Sequence, residues 1–253
     1  MLKVLLKRTA LTLSLAGLAA LPAAADGAPS TGMSRLSSAP IQIAEEKKAG
    51  EEKKAEVKNT EEKKIGLVTL KVALADKVIG KKDAPITILA FESLTCPACR
   101  AFHTGPWPRI KKEYVDTGKA KVVLHAVFGD VRAQFATMLA RCVPDDRHFA
   151  LVELLYRSQP RWGASRSAEQ LFGHLRPMAR LVGMNDAQFK SCVESKELYQ
   201  GLTRLRQELD AKYKIRSTPT FVINGKRLIG VQPFEEFDKL MKPMIKADAS
   251  GAK

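Results

Sequence analysis

"APITILAFESLTCPACRAFH", residues 84–103, sets an apolar run directly before two cysteines standing three positions apart. "ITILAF" (86–91) is nearly all apolar, as expected of a central strand covered on both faces. Pro97 suits the first position of a helix, where a missing N–H costs nothing. The stretch therefore reads as a buried strand, a tight turn and a helix, with Cys96 and Cys99 at the junction.

Working outward, the helix is expected to be interrupted or redirected near "GPWP" (105–108) and to run on to Asp116. "AKVVLHAVF" (120–128) is a second buried strand, so the two strands and their helix make a βαβ unit with a parallel pair. Upstream, "GLVTLKVALAD" (66–76) holds an edge strand. From 131 to 207 the apolar period changes from two to helical, with Phe135, Leu139 and Cys142 on one face and Phe149, Val152 and Tyr156 on another. Asn185 and Gln188 have capping-box spacing, and Pro177 is expected to kink or split the segment holding Leu171 and Leu175. Strands return in "TPTFVINGKRLIG" (218–230), where Asn224-Gly225 signals a two-residue hairpin. A closing helix then buries Phe234, Phe237, Leu240 and Met241.

The flanks differ in kind. Lys3, Lys7 and Arg8, an apolar stretch, and Ala23-Ala24-Ala25 read as a secretory signal peptide over 1–25, with an uncleaved membrane anchor as the other reading. Residues 26–64 read as a disordered charged tether whose repeat "EEKKAGEEKKAEVKNTEEKK" lacks the apolar stripe of a coiled coil. Residues 247–253 read as a disordered tail. Export implies work outside the cytoplasm, where disulfides persist. The formal charge is +15 over 253 residues, and +12 once the three cations of the leader are taken off. The basic residues are scattered and no recognition motif accompanies them, so a solvated basic surface is read in preference to a nucleic-acid interface.

Three roles compete for the close cysteine pair. Structural zinc wants four ligands in close pairs, but the other two of the four cysteines stand alone and the four histidines show no paired spacing. No metal is expected. A purely structural bond between Cys96 and Cys99 closes almost no loop and stabilises little. A redox role fits the position. At a helix N-terminus Cys96 faces unpaired N–H groups and the positive end of the dipole, which favours thiolate over thiol. Stabilising that thiolate stabilises the reduced protein and makes its disulfide the better oxidant. Cys99, one turn further in, is expected to be more buried and less reactive. In "RSTPTF" (216–221), Pro219 opens a strand where proline is unwelcome unless its peptide bond is cis.

Together, "APITILAFESLTCPACRAFH", "IKKEYVDTGKAKVVLHAVF", the helical insertion, "STPTFVING" and "GVQPFEEF" resemble the thioredoxin superfamily, in particular the DsbA-like periplasmic thiol:disulfide oxidoreductases. The resemblance implies an α/β thioredoxin fold, a central mixed sheet flanked by helices, over 65–130 and 208–246. An all-helical subdomain is inserted at 131–207. It implies Cys96 as nucleophile and Cys99 as its partner, supported by Pro97, Ala98, Thr218 and a cis Pro219, with Thr218 touching the substrate backbone. The implied activity is donation of the Cys96–Cys99 disulfide to reduced exported proteins, with no cofactor beyond that disulfide. A DsbB-like membrane quinone reductase is the implied reoxidant, and a monomer is expected. A disulfide isomerase or reductase of the cell envelope, or a redox-inactive protein-binding module, is the alternative.

Three departures from the family pattern bear on the chemistry. Members often carry His after the proline of the redox loop; Ala98 stands there and implies a milder oxidant than the strongest relatives. Members often place a buried acid six residues before the nucleophile; Ala90 stands there, and Glu92 is the candidate proton carrier for Cys99, against an ordinary exposed or hydrogen-bonded glutamate. His103, one turn beyond Cys99, is read first as a packing or exposed residue and second as a group that tunes the pair. Cys142 and Cys192 fall on apolar helix faces of the insertion, and helix-to-helix bridges in some relatives imply a structural disulfide between them.

Overall fold

The computed structural model describes residues 59 and 62–251. The expected leader and nearly all of the expected tether lie outside the described residues. A two-stranded hairpin comes first, β1 (Lys64–Ile65) and β2 (Val68–Thr69). It runs into a short helix, α1 (Leu70–Leu74), whose N-cap Thr69 side chain accepts a bond from the Val72 N–H. The edge strand expected within 66–76 is present only as the two residues of β2; the capped stretch after it goes helical, and the edge of the main sheet is the following β3 (Lys77–Ile79).

The main sheet has the order β3-β5-β4-β6-β7. Its centre is β4 (Ile86–Glu92), parallel to β5 (Ala120–Ala126) and antiparallel to β6 (Thr220–Ile223). All other pairings are antiparallel, so the sheet is mixed as expected. Between the parallel strands lie α2 (Pro97–Thr104) and α3 (Trp107–Ile110), broken at Gly105-Pro106, then a π-helical turn over Lys111–Val115. β6 and β7 (Lys226–Ile229) join through Asn224 and Gly225, both at positive φ (42° and 86°), the geometry the Asn-Gly pair anticipates.

The insertion contains α4 (Val131–Arg141), α5 (Asp145–Arg157), α6 (Gln159–Trp162), α7 (Ala168–Leu181) and α8 (Asp186–Val193). It continues into α9 (Lys196–Tyr213), which runs across the expected domain boundary at 207. The capping box between Asn185 and Gln188 is present. Pro177 does not split its helix: α7 continues through it, with Leu171, Leu175 and Ala179 buried on one face. The closing helix α10 is Phe234–Gly251, and Phe234, Phe237 and Met241 are buried against the sheet while Leu240 is partly covered. It passes the expected boundary at 246 and reaches Gly251, and 252–253 lie outside the described residues.

Two apolar clusters result. One fills the space between the sheet and α2, α3 and α10, around Phe102, Phe221 and Phe237. The other fills the helical side around Leu139, Tyr156, Trp162 and Leu175. Cys142 and Cys192 form a disulfide inside the second, tying the end of α4 to α8 across 50 residues of sequence. Gly66 meets this bridge at close range. A Cβ there would lie 2.7 Å from the Cys142 Cβ, and its φ of +58° favours glycine. The next residue, Leu67, donates its N–H to the Cys142 carbonyl.

A bond closing a 50-residue loop removes denatured-state entropy worth about 4 kcal/mol. The C142A/C192A protein is expected to lose roughly that much unfolding free energy in a guanidinium titration. A loss below about 1 kcal/mol would show that the bridge constrains little in the unfolded chain.

Candidate active site

Strand β4 ends at Glu92, and Ser93, Leu94 and Thr95 turn the chain into α2. Cys96 is the N-cap of that helix, with extended backbone (φ −73°, ψ 121°) and Pro97 at the first helical position. No side chain caps the helix, so the first turn's N–H groups remain available to the Cys96 sulfur. The turn is fixed from several sides. Cys96 donates its N–H to the Ser93 carbonyl, and the Thr95 hydroxyl donates to Asp130 at 2.7 Å. The Gln159 amide donates to the carbonyls of Leu94 and Cys96 at 2.7 and 3.0 Å.

The two sulfurs are free thiols in different surroundings: Cys96 is partly exposed and Cys99 fully buried. The Thr218–Pro219 bond is cis, and the Cys96 thiol lies 3.3 Å from the Thr218 carbonyl, to which it donates. The Cys96 pKa falls from 9.0 to about 5. A hydrogen bond from the Cys99 thiol is the main cause, opposed by partial burial and aided by Thr218 and by the backbone N–H groups of Cys99 and Ala98. The two Thr218 contacts act in opposite senses: its carbonyl suits the protonated thiol, its side chain the anion. Donors prevail, so the anion is the form the site is built around. Cys99 is pushed the other way, first by burial, then by the same bond to Cys96 and by the charge of Glu92. The Ser93 N–H, donating to Cys99 Sγ at 3.4 Å, offsets this in part.

Glu92 is neither exposed nor isolated. Its side chain is 2 % exposed, its Oε2 sits 2.6 Å from His103 Nε2, and the same oxygen accepts from the Tyr156 hydroxyl at 3.0 Å. Of the ordinary readings of Glu92, exposed or hydrogen-bonded, the structure has the hydrogen-bonded one: the strand end is roofed by α5, and Oε2 is met by both His103 and Tyr156. His103 is packed as well, its ring stacked on Tyr156 with centroids 4.1 Å apart. Burial, then the nearby Glu92 charge, raises the Tyr156 hydroxyl pKa well above its ordinary value, so it stays a donor.

Beside Cys96 runs a groove of about 360 Å³ bordered by Val127, Asp130, Arg206, Ile215, Arg216 and Thr218. The arrangement can perform thiol–disulfide exchange: an exposed nucleophilic sulfur, a buried partner one turn away, and room for an extended chain. All the expected site residues of the redox centre, Cys96, Pro97, Ala98, Cys99, Thr218 and Pro219, meet here. Gln159, Tyr156 and Asp130 were not singled out, and no local signal marks them, since they arrive from the helical subdomain and its entry.

The family model described as Thioredoxin matches residues 73–243. The chain belongs to the thioredoxin family. A Rickettsia bellii relative that carries the provisional name protein-disulfide oxidoreductase is 28% identical over 171 residues, covering 67% of this chain and 65% of that protein. The chain thus spans just under two thirds of the length of that relative. Two solved structures share the thioredoxin-family fold. Wolbachia pipientis alpha-DsbA1 has a TM-score of 0.65 at 24% identity, covering 70% of this chain and 94% of that one. Oxidised BdbD from Bacillus subtilis has 0.61 at 24%, covering 72% and 98%. Among the described residues, no helix of this thioredoxin-family chain is long and apolar enough to cross a membrane.

The electrostatics give a direct expectation. Iodoacetamide alkylation of the reduced protein should modify Cys96 along a titration curve with its midpoint at about 5, and leave Cys99 untouched until the protein unfolds. A midpoint near 9.0, the ordinary thiol value, would remove the basis for the site's polarity.

Proposed function

We propose that this chain is a protein thiol:disulfide oxidoreductase that donates its Cys96–Cys99 disulfide to reduced exported proteins through a mixed disulfide at Cys96. One observation carries the reading: a half-exposed sulfur held as an anion sits one helical turn from a buried sulfur held as a thiol. The names of the relatives and the shared fold support it.

The steps follow from that polarity. A substrate thiolate attacks Cys96 Sγ of the oxidised protein, the S–S bond breaks, and Cys99 leaves and takes up a proton. The substrate's second thiolate then attacks its own mixed-disulfide sulfur, and Cys96 departs as an anion needing no proton. The products are a substrate disulfide and a reduced protein; of the two substrate protons, one stays on Cys99 and one goes to solvent. Thr218, which borders the groove, meets the substrate backbone in this reading, with extended strand-like pairing as the mode. Glu92, whose charge reaches Cys99, is the proton carrier for the leaving sulfur. The reoxidant in this reading is a DsbB-like membrane quinone reductase, and the site of action is outside the cytoplasm.

A Cys96 pKa of about 5 lies between the values of about 7 for thioredoxin and about 3.5 for DsbA, which supports the milder oxidant implied by Ala98. Equilibration with glutathione buffers should therefore give a potential between those two proteins, and A98H should move it to the more oxidising side. A potential at or below thioredoxin's would transfer the assignment to a reductase.

The sign of the pH effect is fixed by the same shift. A depressed thiol pKa stabilises the reduced folded state fully above 9.0, and that stability is lost as pH falls through about 5. Oxidised protein has no such group. The melting temperature of the reduced form minus that of the oxidised form should rise across this interval; a flat difference would contradict the thiolate.

A further inference from the structure

Resting on the oxidoreductase reading, we infer that Arg216 is a specificity-determining residue, through which the protein favours substrate cysteines with an aspartate or glutamate about two positions away. The observation behind it is a charge imbalance in the groove beside Cys96. Asp130, Arg206, Asp210 and Arg216 are the charged residues that border this groove. All but Arg216 are committed to partners within the protein.

Asp130 Oδ1 accepts from the N–H groups of Arg132 and Ala133 at 2.9 and 3.1 Å and from Arg132 Nε at 3.3 Å. Its Oδ2 accepts from the Thr95 hydroxyl at 2.7 Å. Arg206 and Asp210, one turn apart on α9, pair at 3.5 Å, and the Arg206 guanidinium lies over the Phe128 ring, 5.5 Å from its centroid. Arg216 is exposed and, among the described residues, has no hydrogen bond, ion pair or ring contact. Each aspartate is thus answered by an arginine, Arg132 or Arg206, and the groove shows a substrate one surplus positive charge.

The position of that charge gives it a reading role. In the mixed disulfide the substrate cysteine is bonded to Cys96 Sγ, which lies 3.3 Å from the Thr218 carbonyl. Arg216 precedes Thr218 by two residues on the same loop, and Ile215, Arg216, Ser217 and Thr218 all border the groove. An extended substrate rises about 3.3 Å per residue, so a residue two positions from its cysteine travels as far along the groove as Arg216 stands from Thr218 along the loop. A carboxylate there pairs with the open guanidinium, and a lysine there meets like charge. Net charge alone acts differently: the +12 of the chain without its leader draws any acidic peptide, wherever its acids stand. The groups that hold the Cys96 thiolate are Cys99, Thr218 and the first-turn N–H groups, so replacing Arg216 leaves the nucleophile as it is.

The test is the second-order rate at which the oxidised protein oxidises reduced peptides, each of whose two cysteines has Glu, Gln or Lys two positions before and after it. A fourth peptide has the composition of the Glu peptide with its glutamates moved about eight positions from either cysteine. The proteins are wild type, R216Q, R216E and K239E, the last an equal change of charge at an exposed lysine of α10 outside the groove. Wild type and K239E should oxidise the Glu peptide roughly fivefold faster than the Lys peptide. R216Q should bring that ratio close to one and R216E should invert it, with the Cys96 alkylation midpoint unchanged in all four proteins. If wild type oxidises none of the peptides, the oxidoreductase reading fails and takes the specificity with it. Where wild type does transfer its disulfide, a Glu-to-Lys ratio that R216E leaves as it was, or an equal preference for the peptide with distant glutamates, overturns the role of Arg216 alone.

Discussion

Everything about this site depends on two sulfurs one helical turn apart being held in opposite electrostatic conditions. Cys96 stands at the helix N-terminus, where the Cys99 thiol and then the Thr218 side chain and the backbone N–H groups of the first turn donate to it, and Cys99 stands inside an apolar cluster with Glu92 nearby. The helix cannot be moved relative to the sheet without losing this contrast. Its N-terminus is set by the end of β4, its register by Pro97, and its inner face by Phe102 packing on Phe221 and Phe237. The fold is, in this sense, a device for pointing one end of a helix at solvent while burying the next turn.

The helical subdomain takes part in the chemistry as well as the stability. Tyr156 and Gln159 come from it, and both act on the segment between Glu92 and Cys96. The Cys142–Cys192 bridge ties α4 to α8 within the same subdomain and also meets the N-terminal hairpin at Gly66. A second layer of the molecule, covalently fastened, thus sets the surroundings of the first.

Much of this was legible in the chain. The Cys-Pro-Ala-Cys stretch after an apolar run, the Asn-Gly hairpin and the Asn185–Gln188 cap each follow from short-range rules, and each stands where those rules put it. What escaped were long-range facts. Nothing near Glu92 in sequence announces that Tyr156 will roof it, and a histidine one turn past a cysteine looks like any packed ring until its partner is known. In the 66–76 stretch only Val68 and Thr69 pair as a strand, because a threonine cap and five residues suffice for a helical turn. Of the two outcomes expected at Pro177, the split does not occur. The apolar face of α7, packed by Leu171, Leu175 and Ala179, holds the helix together across the missing bond.

Gln159 offers one consequence beyond its role as a brace. Its single amide nitrogen joins the Leu94 carbonyl to the Cys96 carbonyl, which also accepts the Arg100 N–H. A short helix in a separate layer therefore grips the turn from which the redox helix starts. A change in that layer reaches the turn through one side chain, without touching either cysteine.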